Sequence, residues 1–251
     1  MRYDDLSAVV LHVRPYRETS VMVQFFTREQ GRIAGVMKGV RRGRNPVSIQ
    51  PFNQGILGCI GRQSLMTVTR FDVEARFKLA GRELSAGFYI LELLSRCLAE
   101  QQIEPKVFDA SMRTLHELEN LGVSSSSLMA VHLRMFEREL LSELGYGFDY
   151  GTDALTGEPV ASELCYSWRA QGGFSVESQE RETGPGDSAD VGGIQGWMLI
   201  AMAEGQYADP KVLRLAKRLH QKALAPLLGS APLISRSMYL RDAKNSTHQR
   251  G

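Results

Sequence analysis

The sequence predicts an α+β protein in which a five-stranded barrel is followed by a helical domain. Two observations lead to this prediction. Up to residue 77, apolar and β-branched residues occur in short runs or alternate with polar residues, as in strands. After Lys78 the apolar residues recur every three or four positions, which is the spacing of one helix face.

Five strands account for the first part of the chain. We expect them at residues 7–13, 21–26, 33–40, 49–60 and 64–73. The fourth strand contains Gly55, Gly58 and Gly61, and glycines inside a strand often mark bends or bulges. Five short strands, one of them bent by glycines, favour a small closed barrel over an open sheet.

Helices dominate the remainder of the chain. The apolar spacing predicts helices at residues 84–98, 105–121, 128–144, 194–203, 210–228 and 235–241. Residues 164–168 and 173–176 predict a two-stranded hairpin, and a polar loop is expected at 180–193. The expected domains are therefore a barrel at residues 1–79 and a helical domain at residues 80–251, with the hairpin as an insertion at about 148–190.

Composition narrows the functional classes. The three cysteines, Cys59, Cys97 and Cys165, have no paired spacing, which is typical of reduced thiols in a cytoplasmic protein. No apolar run approaches the roughly 20 residues that cross a bilayer, so no membrane partner is expected. The phosphate loop of ATPases and the common zinc signatures are absent from the sequence. We therefore expect no cofactor, no metal and no catalytic residues.

Charge is segregated along the chain. The net charge is +6 over residues 1–77, −11 over residues 81–190 and +6 over residues 191–251. The densest cationic stretch covers residues 28–44, on the third strand and the loop after it. Such a stretch suits contacts to phosphates, which give affinity without reading base sequence. The expected DNA-binding residues are Arg32, Lys38, Arg41, Arg42 and Arg44.

Two further features leave alternatives open. The side chains of Tyr16, Phe52 and Phe71 suit either stacking on unpaired bases or packing in the barrel core. The helix at 210–228 carries a second basic face, which is either a solvated surface or a site for DNA or a partner. The residues of this face are Lys211, Arg214, Lys217, Arg218 and Lys222.

Motifs along nearly the whole chain, in the same order, resemble those of the RecO family. Residues 14–20 resemble the family's opening strand–turn–strand, and residues 30–32 and 38–41 its next strand and basic loop. Residues 50–52 are similar to its fourth strand, and residues 89–96 to its first long helix. The strongest helical signature is 140–147, which ends in Leu-Gly-Tyr-Gly, and residues 216–218 and 232–236 resemble the C-terminal segment.

The resemblance implies an OB-fold barrel and a DNA-binding mediator of the RecF repair pathway, not an enzyme. Proteins of this family bind single- and double-stranded DNA and anneal complementary strands. They contact the C-terminal tail of single-strand-binding protein and act with RecR to load RecA, which makes the RecA filament an indirect partner. A bacterial, cytoplasmic and nucleoid-associated location follows from the same resemblance. An RNA-binding adaptor with an OB fold is the alternative.

The chain departs from many relatives in one region. Those relatives carry a four-cysteine zinc module, whereas residues 150–178 here keep only Cys165. One thiol cannot complete a four-ligand site, so no zinc is expected and this is a degenerate zinc-module region. We expect the hairpin to be held instead by the packing of Leu164, Tyr166, Trp168 and Phe174.

The resemblance also implies a site for the tail of single-strand-binding protein on the third helix. Arg134 falls where relatives place the arginine that meets the tail, and Leu133 belongs to the adjacent apolar seam. Arg138 lies one turn further on the same side. The alternative is that both arginines pair as ordinary surface charges with Glu137, Glu139 or Glu143.

Overall fold

The computed structural model describes residues 1–39, 49–62, 65–121, 126–170, 172–177 and 190–235. The chain divides into two compact units. The barrel unit comprises residues 1–123 and 230–251, and the helical unit comprises residues 124–229. The expected domain boundary at residues 79–80 stays a prediction. In the structure, the residues that follow it, up to residue 123, belong to the barrel unit.

The first five strands form the expected closed barrel. They are β1 (Arg2–Tyr16), β2 (Ser20–Thr27), β3 (Gly31–Met37), β4 (Asn53–Arg62) and β5 (Leu65–Arg76). The strand order is β1-β2-β3-β5-β4, with β4 pairing back onto β1 and with β3 and β5 parallel. Alternate residues of each strand point inward, and Val10, Val23, Phe25, Leu57 and Phe71 belong to the interior.

Glycines of β4 lie where the strand is irregular, as the sequence indicated. The pairing of β4 with β5 shifts between Gln54 and Gly55 and again between Gly58 and Cys59. A Cβ atom at Gly55 would lie 2.0 Å from the carbonyl oxygen of Asp72, so the backbones approach too closely there for a side chain. Gly61, by contrast, pairs regularly with Met66.

Two helices complete this part of the barrel unit. They are α1 (Gly81–Cys97) and α2 (Pro105–Glu119). The ring of Phe88 on α1 lies 4.9 Å from the ring of Phe52, and Phe108 on α2 lies 5.5 Å from Phe26. Ser95 Oγ also donates to Gln24 Oε1 at 2.7 Å. The helices therefore cover the outer face of β2 where it carries Gln24 and Phe26.

The last described residues also pack on α1. The Glu92 carboxylate accepts hydrogen bonds from the backbone N–H groups of Ile234 and Ser235, both at 2.9 Å, and from Ser235 Oγ at 2.7 Å. Arg96 donates to the carbonyl of Pro232 at 3.2 Å. Burial alone would raise the pKa of Glu92, but the hydrogen bonds from Ser235, Ile234 and Arg96 lower it. Most of the helix predicted at 235–241 lies outside the described residues.

The helical unit contains three helices and a small antiparallel sheet. Its elements are α3 (Ser126–Glu143), β6 (Cys165–Arg169), β7 (Gly173–Val176), β8 (Val191–Gln195), α4 (Gly196–Ala203) and α5 (Pro210–Leu228). The sheet order is β7-β6-β8, so the predicted hairpin is confirmed but has a third strand. The prediction of a loop up to 193 and a helix from 194 was wrong, because Val191 and Ile194 pair with β6 and are buried in the core.

Packing of aromatic residues holds this sheet. Tyr166, Trp168 and Phe174 are buried in one core cluster with α4 and α5. Leu164 does not join them, since 45% of its surface is exposed, and its predicted packing role was wrong. Cys165 Sγ lies 3.2 Å from the Glu177 carboxylate. Among the described residues, no group of three or more His, Cys, Asp or Glu side chains could hold a metal. None of the helices in the described ranges has the length and apolarity needed to cross a membrane.

Candidate functional site

The described part of the basic stretch lies along β3. Lys38 follows the last residue of β3 and is exposed, whereas Arg41, Arg42 and Arg44 lie outside the described residues. Arg28 makes two hydrogen bonds to Asp109, at 2.8 and 2.9 Å. This contact raises the pKa of Arg28 and lowers that of Asp109. Arg28 is therefore bound to Asp109 of α2. Lys38 is exposed and precedes the predicted basic loop in the sequence.

Arg32 lies apart from Lys38. It pairs with Phe26 at the start of β3, while Lys38 follows Met37 at the other end, roughly 20 Å away along an extended strand. Arg32 is half-buried, its Nε has no hydrogen-bond partner, and its backbone carbonyl accepts from Gln101 N at 3.0 Å. Burial lowers the pKa of Arg32, with Glu100 opposing the shift. The structure does not bring Arg32 into one site with Lys38.

Of the three aromatic residues considered for base stacking, two belong to the core. Phe52 is 3% exposed and packs against Phe88, and Phe71 lies inside the barrel with its ring 5.1 Å from that of Phe25. Tyr16 is half-exposed on the last residue of β1. Tyr16 alone among the three therefore offers a ring to a ligand.

The second basic face is exposed on α5. The helix begins at an N-cap, where the Asp209 carboxylate accepts from Lys211 N at 2.6 Å, and Pro210 occupies its first turn. Its opposite face buries Val212, Leu215 and Leu219. No ion pair within the described ranges involves the cations of this face, which are Lys211, Arg214, Lys217, Arg218 and Lys222.

Arg134 on α3, the residue expected to meet the tail, is buried. Its side chain is 9% exposed and its Nη2 lies 2.6 Å from Glu137 Oε1. The second terminal nitrogen, Nη1, is buried without a hydrogen-bond partner. The alternative of an ordinary surface pair is therefore wrong for Arg134, although its partner is the Glu137 that this alternative named. Leu133 is half-buried beside it.

Glu137 connects Arg134 to a second buried group. His220 Nδ1 on α5 lies 2.9 Å from Glu137 Oε2, and Tyr150 Oη lies 3.2 Å from His220 Nε2. A carboxylate only accepts, so Nδ1 carries the proton of the hydrogen bond to Glu137. Sequence reasoning missed this network, because Glu137 and His220 are 83 residues apart and His220 stands within an ordinary apolar helix stripe.

Arg138 has a different environment from Arg134. Its guanidinium donates to the carbonyls of Met202, at 2.5 Å, and Ala203, at 3.2 Å, at the C-terminal end of α4. It also lies 5.4 Å from the centre of the Tyr150 ring. Burial raises the pKa of Tyr207, and the neighbouring Arg138 opposes this shift. Arg138 thus supports the packing of α4 and the core, which the sequence did not indicate.

The strand order and the parallel β3–β5 contact define the barrel as an OB fold, to which a helical unit with a three-stranded sheet is added. The family model described as Recombination protein O N terminal matches residues 1–77, and that described as Recombination protein O C terminal matches residues 79–236. The chain belongs to the Recombination protein O family.

Curated relatives agree with this assignment over most of their length. The chain is 37% identical over 235 residues to the DNA repair protein RecO of Sodalis glossinidius, covering 92% of this chain and 85% of that protein. It is 36% identical over 234 residues to the DNA repair protein RecO of Glaesserella parasuis, covering 92% of each. With that of Pseudoalteromonas atlantica it shares 35% identity over 242 residues, covering 95% of each.

Proposed function

We propose that this chain is a DNA-binding mediator of recombination and repair that acts without a cofactor or a catalytic step. It binds single- and double-stranded DNA and anneals complementary strands. It contacts the C-terminal tail of single-strand-binding protein and acts with RecR to load RecA. Membership of the Recombination protein O family supports a role in DNA repair and recombination. The finer steps rest on the surfaces described above.

The proposal of DNA binding rests on the exposed cations of the chain. Lys38 lies exposed directly after β3, and the predicted basic loop with Arg41, Arg42 and Arg44 follows it in the sequence, outside the described residues. α5 presents five further exposed cations. Exposed lysine and arginine side chains at this density attract phosphates through release of counterions, and this affinity does not depend on base sequence. Such binding suits a protein that acts wherever a single strand is exposed.

The unpartnered Nη1 of Arg134 supports the proposed tail contact. A buried guanidinium with one nitrogen unpaired gains a charged hydrogen bond if a carboxylate reaches it. The tail of single-strand-binding protein ends in such a carboxylate, next to an aromatic side chain. Leu133, half-buried beside Arg134, supplies apolar surface for that side chain. We therefore keep Arg134 and Leu133 as the proposed tail residues and assign Arg138 mainly to the packing of α4.

A binding comparison tests the proposed function. Fluorescence anisotropy with the full chain would use a labelled single-stranded DNA, a duplex of equal length and a single-stranded RNA of the same sequence. We expect DNA to bind at least as tightly as RNA, and annealing of complementary strands to proceed without nucleotide. A pull-down should retain single-strand-binding protein and lose it when its last residues are removed. Clear preference for RNA together with no retention of single-strand-binding protein would favour an RNA-binding adaptor.

A further inference from the structure

Arg134 is held in the core of the helical unit by one oxygen of Glu137. Arg134 Nη2 lies 2.6 Å from Glu137 Oε1, and the Glu137 side chain is completely buried. Arg134 Nη1 has no hydrogen-bond partner among the described residues. A guanidinium that uses one terminal nitrogen on Glu137 presents the other to a second acceptor. Glu137 therefore determines which nitrogen of Arg134 remains for a ligand.

The second oxygen of Glu137 contacts His220. His220 Nδ1 lies 2.9 Å from Glu137 Oε2, and both side chains are buried. The single negative charge of Glu137 is thus shared between a permanent cation, Arg134, and a ring that becomes a cation when it takes up a proton. The positive charge that remains uncompensated at Arg134 therefore depends on the protonation state of His220.

The other side of the His220 ring accommodates both protonation states. Tyr150 Oη lies 3.2 Å from His220 Nε2. A tyrosine hydroxyl donates to a neutral ring nitrogen and accepts from a protonated one, so only the hydroxyl hydrogen has to rotate. Protonation of His220 therefore requires no rearrangement of the heavy atoms around the ring.

The charged and titratable groups near His220 come from α3, from the segment after it and from the segment before α5. Within the described residues they are Glu137, Arg134, Arg138, Tyr150 and Tyr207. The cations of α5 itself lie on its exposed face. Burial raises the pKa of Tyr150 and of Tyr207, so both phenols stay uncharged in neutral solution. Among these types of side chain, only histidine ordinarily changes its charge between pH 5 and pH 8.

We propose that Glu137 and His220 are positioning residues of the tail site, and that a proton on His220 strengthens the binding of a C-terminal carboxylate to Arg134. The proposal rests on the tail contact proposed for Arg134 and adds its regulation. A protonated His220 takes a larger share of the Glu137 charge, so Arg134 gains more from a second carboxylate. By linkage, a bound carboxylate favours the protonated ring to the same extent. The tail therefore binds more tightly as the pH falls from 8 to 6.

Fluorescence anisotropy with the full chain measures this linkage. The probe is a labelled acidic peptide that ends in an aromatic residue with a free carboxylate, and an amidated copy of it is the control. The carboxyl groups of the peptide are ionised throughout this pH range, so they contribute no pH dependence of their own. For the wild type, affinity for the free-carboxylate peptide should increase about threefold to tenfold from pH 8 to pH 6. Affinity for the amidated peptide should change less than about twofold over the same range.

His220→Asn separates the positioning role from a purely structural one. Asparagine can donate to Glu137 from nearly the position of Nδ1 but takes up no proton, so this variant should bind the free-carboxylate peptide equally at pH 6 and pH 8. A loss of stability alone would not flatten the pH profile. The matched control is His132→Asn, at a half-buried histidine of α3 close to Arg134, and it should keep the pH dependence of the wild type.

A measurement on the wild type covers the case in which His220→Asn does not fold. Calorimetric titration at pH 7 in buffers of different ionisation enthalpy counts the protons that the complex takes up, and we expect a net uptake with the free-carboxylate peptide.

The outcomes separate this proposal from the tail contact on which it rests. If the wild type binds the free-carboxylate peptide equally at pH 6 and pH 8 without proton uptake, the role of His220 is overturned and the tail contact stands. A pH dependence that persists in His220→Asn, or that is lost in His132→Asn, would overturn that role as well. If the wild type does not distinguish the free-carboxylate peptide from the amidated one at either pH, the tail contact fails, and this proposal fails with it.

Discussion

His220 Nδ1 on α5 lies 2.9 Å from Glu137 Oε2 on α3, and both side chains are completely buried. The other oxygen of Glu137 contacts Arg134, so one carboxylate serves two cationic or donor groups in the core of the helical unit. Replacing a fully satisfied buried pair by apolar groups can be harmless, whereas removing one partner leaves the others uncompensated.

The first prediction follows from that asymmetry. Glu137→Gln should destabilise the chain by about 3–5 kcal/mol, because Arg134 would be buried without its counter-charge. Thermal and urea unfolding followed by circular dichroism measures this loss. Glu204→Gln, which removes an exposed carboxylate that accepts a hydrogen bond from nearby Gln206, should change stability by less than about 0.5 kcal/mol. Similar stabilities for the two variants would contradict the structural role of Glu137.

The second prediction concerns Arg134 and the tail of single-strand-binding protein. Arg134→Lys keeps a positive charge beside Glu137 but loses the second terminal nitrogen, so tail-peptide binding should weaken by about 1.5–3 kcal/mol. A matched peptide with an amidated C-terminus should bind the wild type and Arg134→Lys equally. Titration of both peptides into both proteins by fluorescence anisotropy gives the coupling between Arg134 and the carboxylate. A coupling energy near zero would remove Arg134 from the tail site.

The third prediction compares the two basic surfaces. Replacing Lys38, Arg41, Arg42 and Arg44 by alanine should flatten the slope of log affinity against log salt by about 0.7–0.9 for each lost phosphate contact. The same number of substitutions on α5, at Lys211, Arg214, Lys217 and Arg218, separates a DNA surface from a solvated face. An unchanged slope in the α5 variant would make that face a solvated surface. An unchanged slope in the loop variant would move the DNA site away from the loop.

The fourth prediction concerns a glycine of the barrel. Gly55→Ala should destabilise the barrel by several kcal/mol, on the order of other severe core changes, since its Cβ would meet the backbone carbonyl of Asp72 at 2.0 Å. Gly58→Ala is the control, because its nearest neighbour is the hydroxyl of Thr69 at 3.1 Å, which can rotate away. Chemical denaturation measures the free energy of unfolding of both variants. Equal values would show that the backbone at Gly55 can shift to make room for a methyl group.

The fifth prediction concerns pH. The folded-state pKa of Glu92 is lower than its ordinary value, so the contribution of Glu92 to stability is fully present above about pH 4.3. It is lost as the pH falls through the folded-state pKa. Glu92→Gln should therefore be less stable than the wild type at pH 7, and this difference should shrink as the solution is acidified. A difference that is constant from pH 7 to pH 3 would contradict the assignment.

The sequence predicted the elements whose patterns are local. The barrel strands, the bend at Gly55 and the hairpin could be predicted because the alternation of apolar residues and the placement of glycines are visible within short stretches of sequence. β8 was missed because two glycines interrupt its alternation and because β6, with which it pairs, is separated from it in the sequence by β7. The family resemblance implied a tail-binding role for Arg134, which stays a prediction. It did not indicate that this side chain is buried, because the burial depends on Glu137 and on the distant His220.

The hydrogen bonds between Glu92 and Ser235 join positions 143 residues apart in the chain. During translation, the barrel strands and α1 are made long before this segment, so the barrel unit completes its packing only after residues 230–235 have been synthesised. Its final step closes a loop that contains the whole helical unit, and the sequence separation of such contacts slows folding. A chain truncated before residue 230 would therefore contain the whole helical unit but an incomplete barrel unit, although the barrel residues are synthesised first.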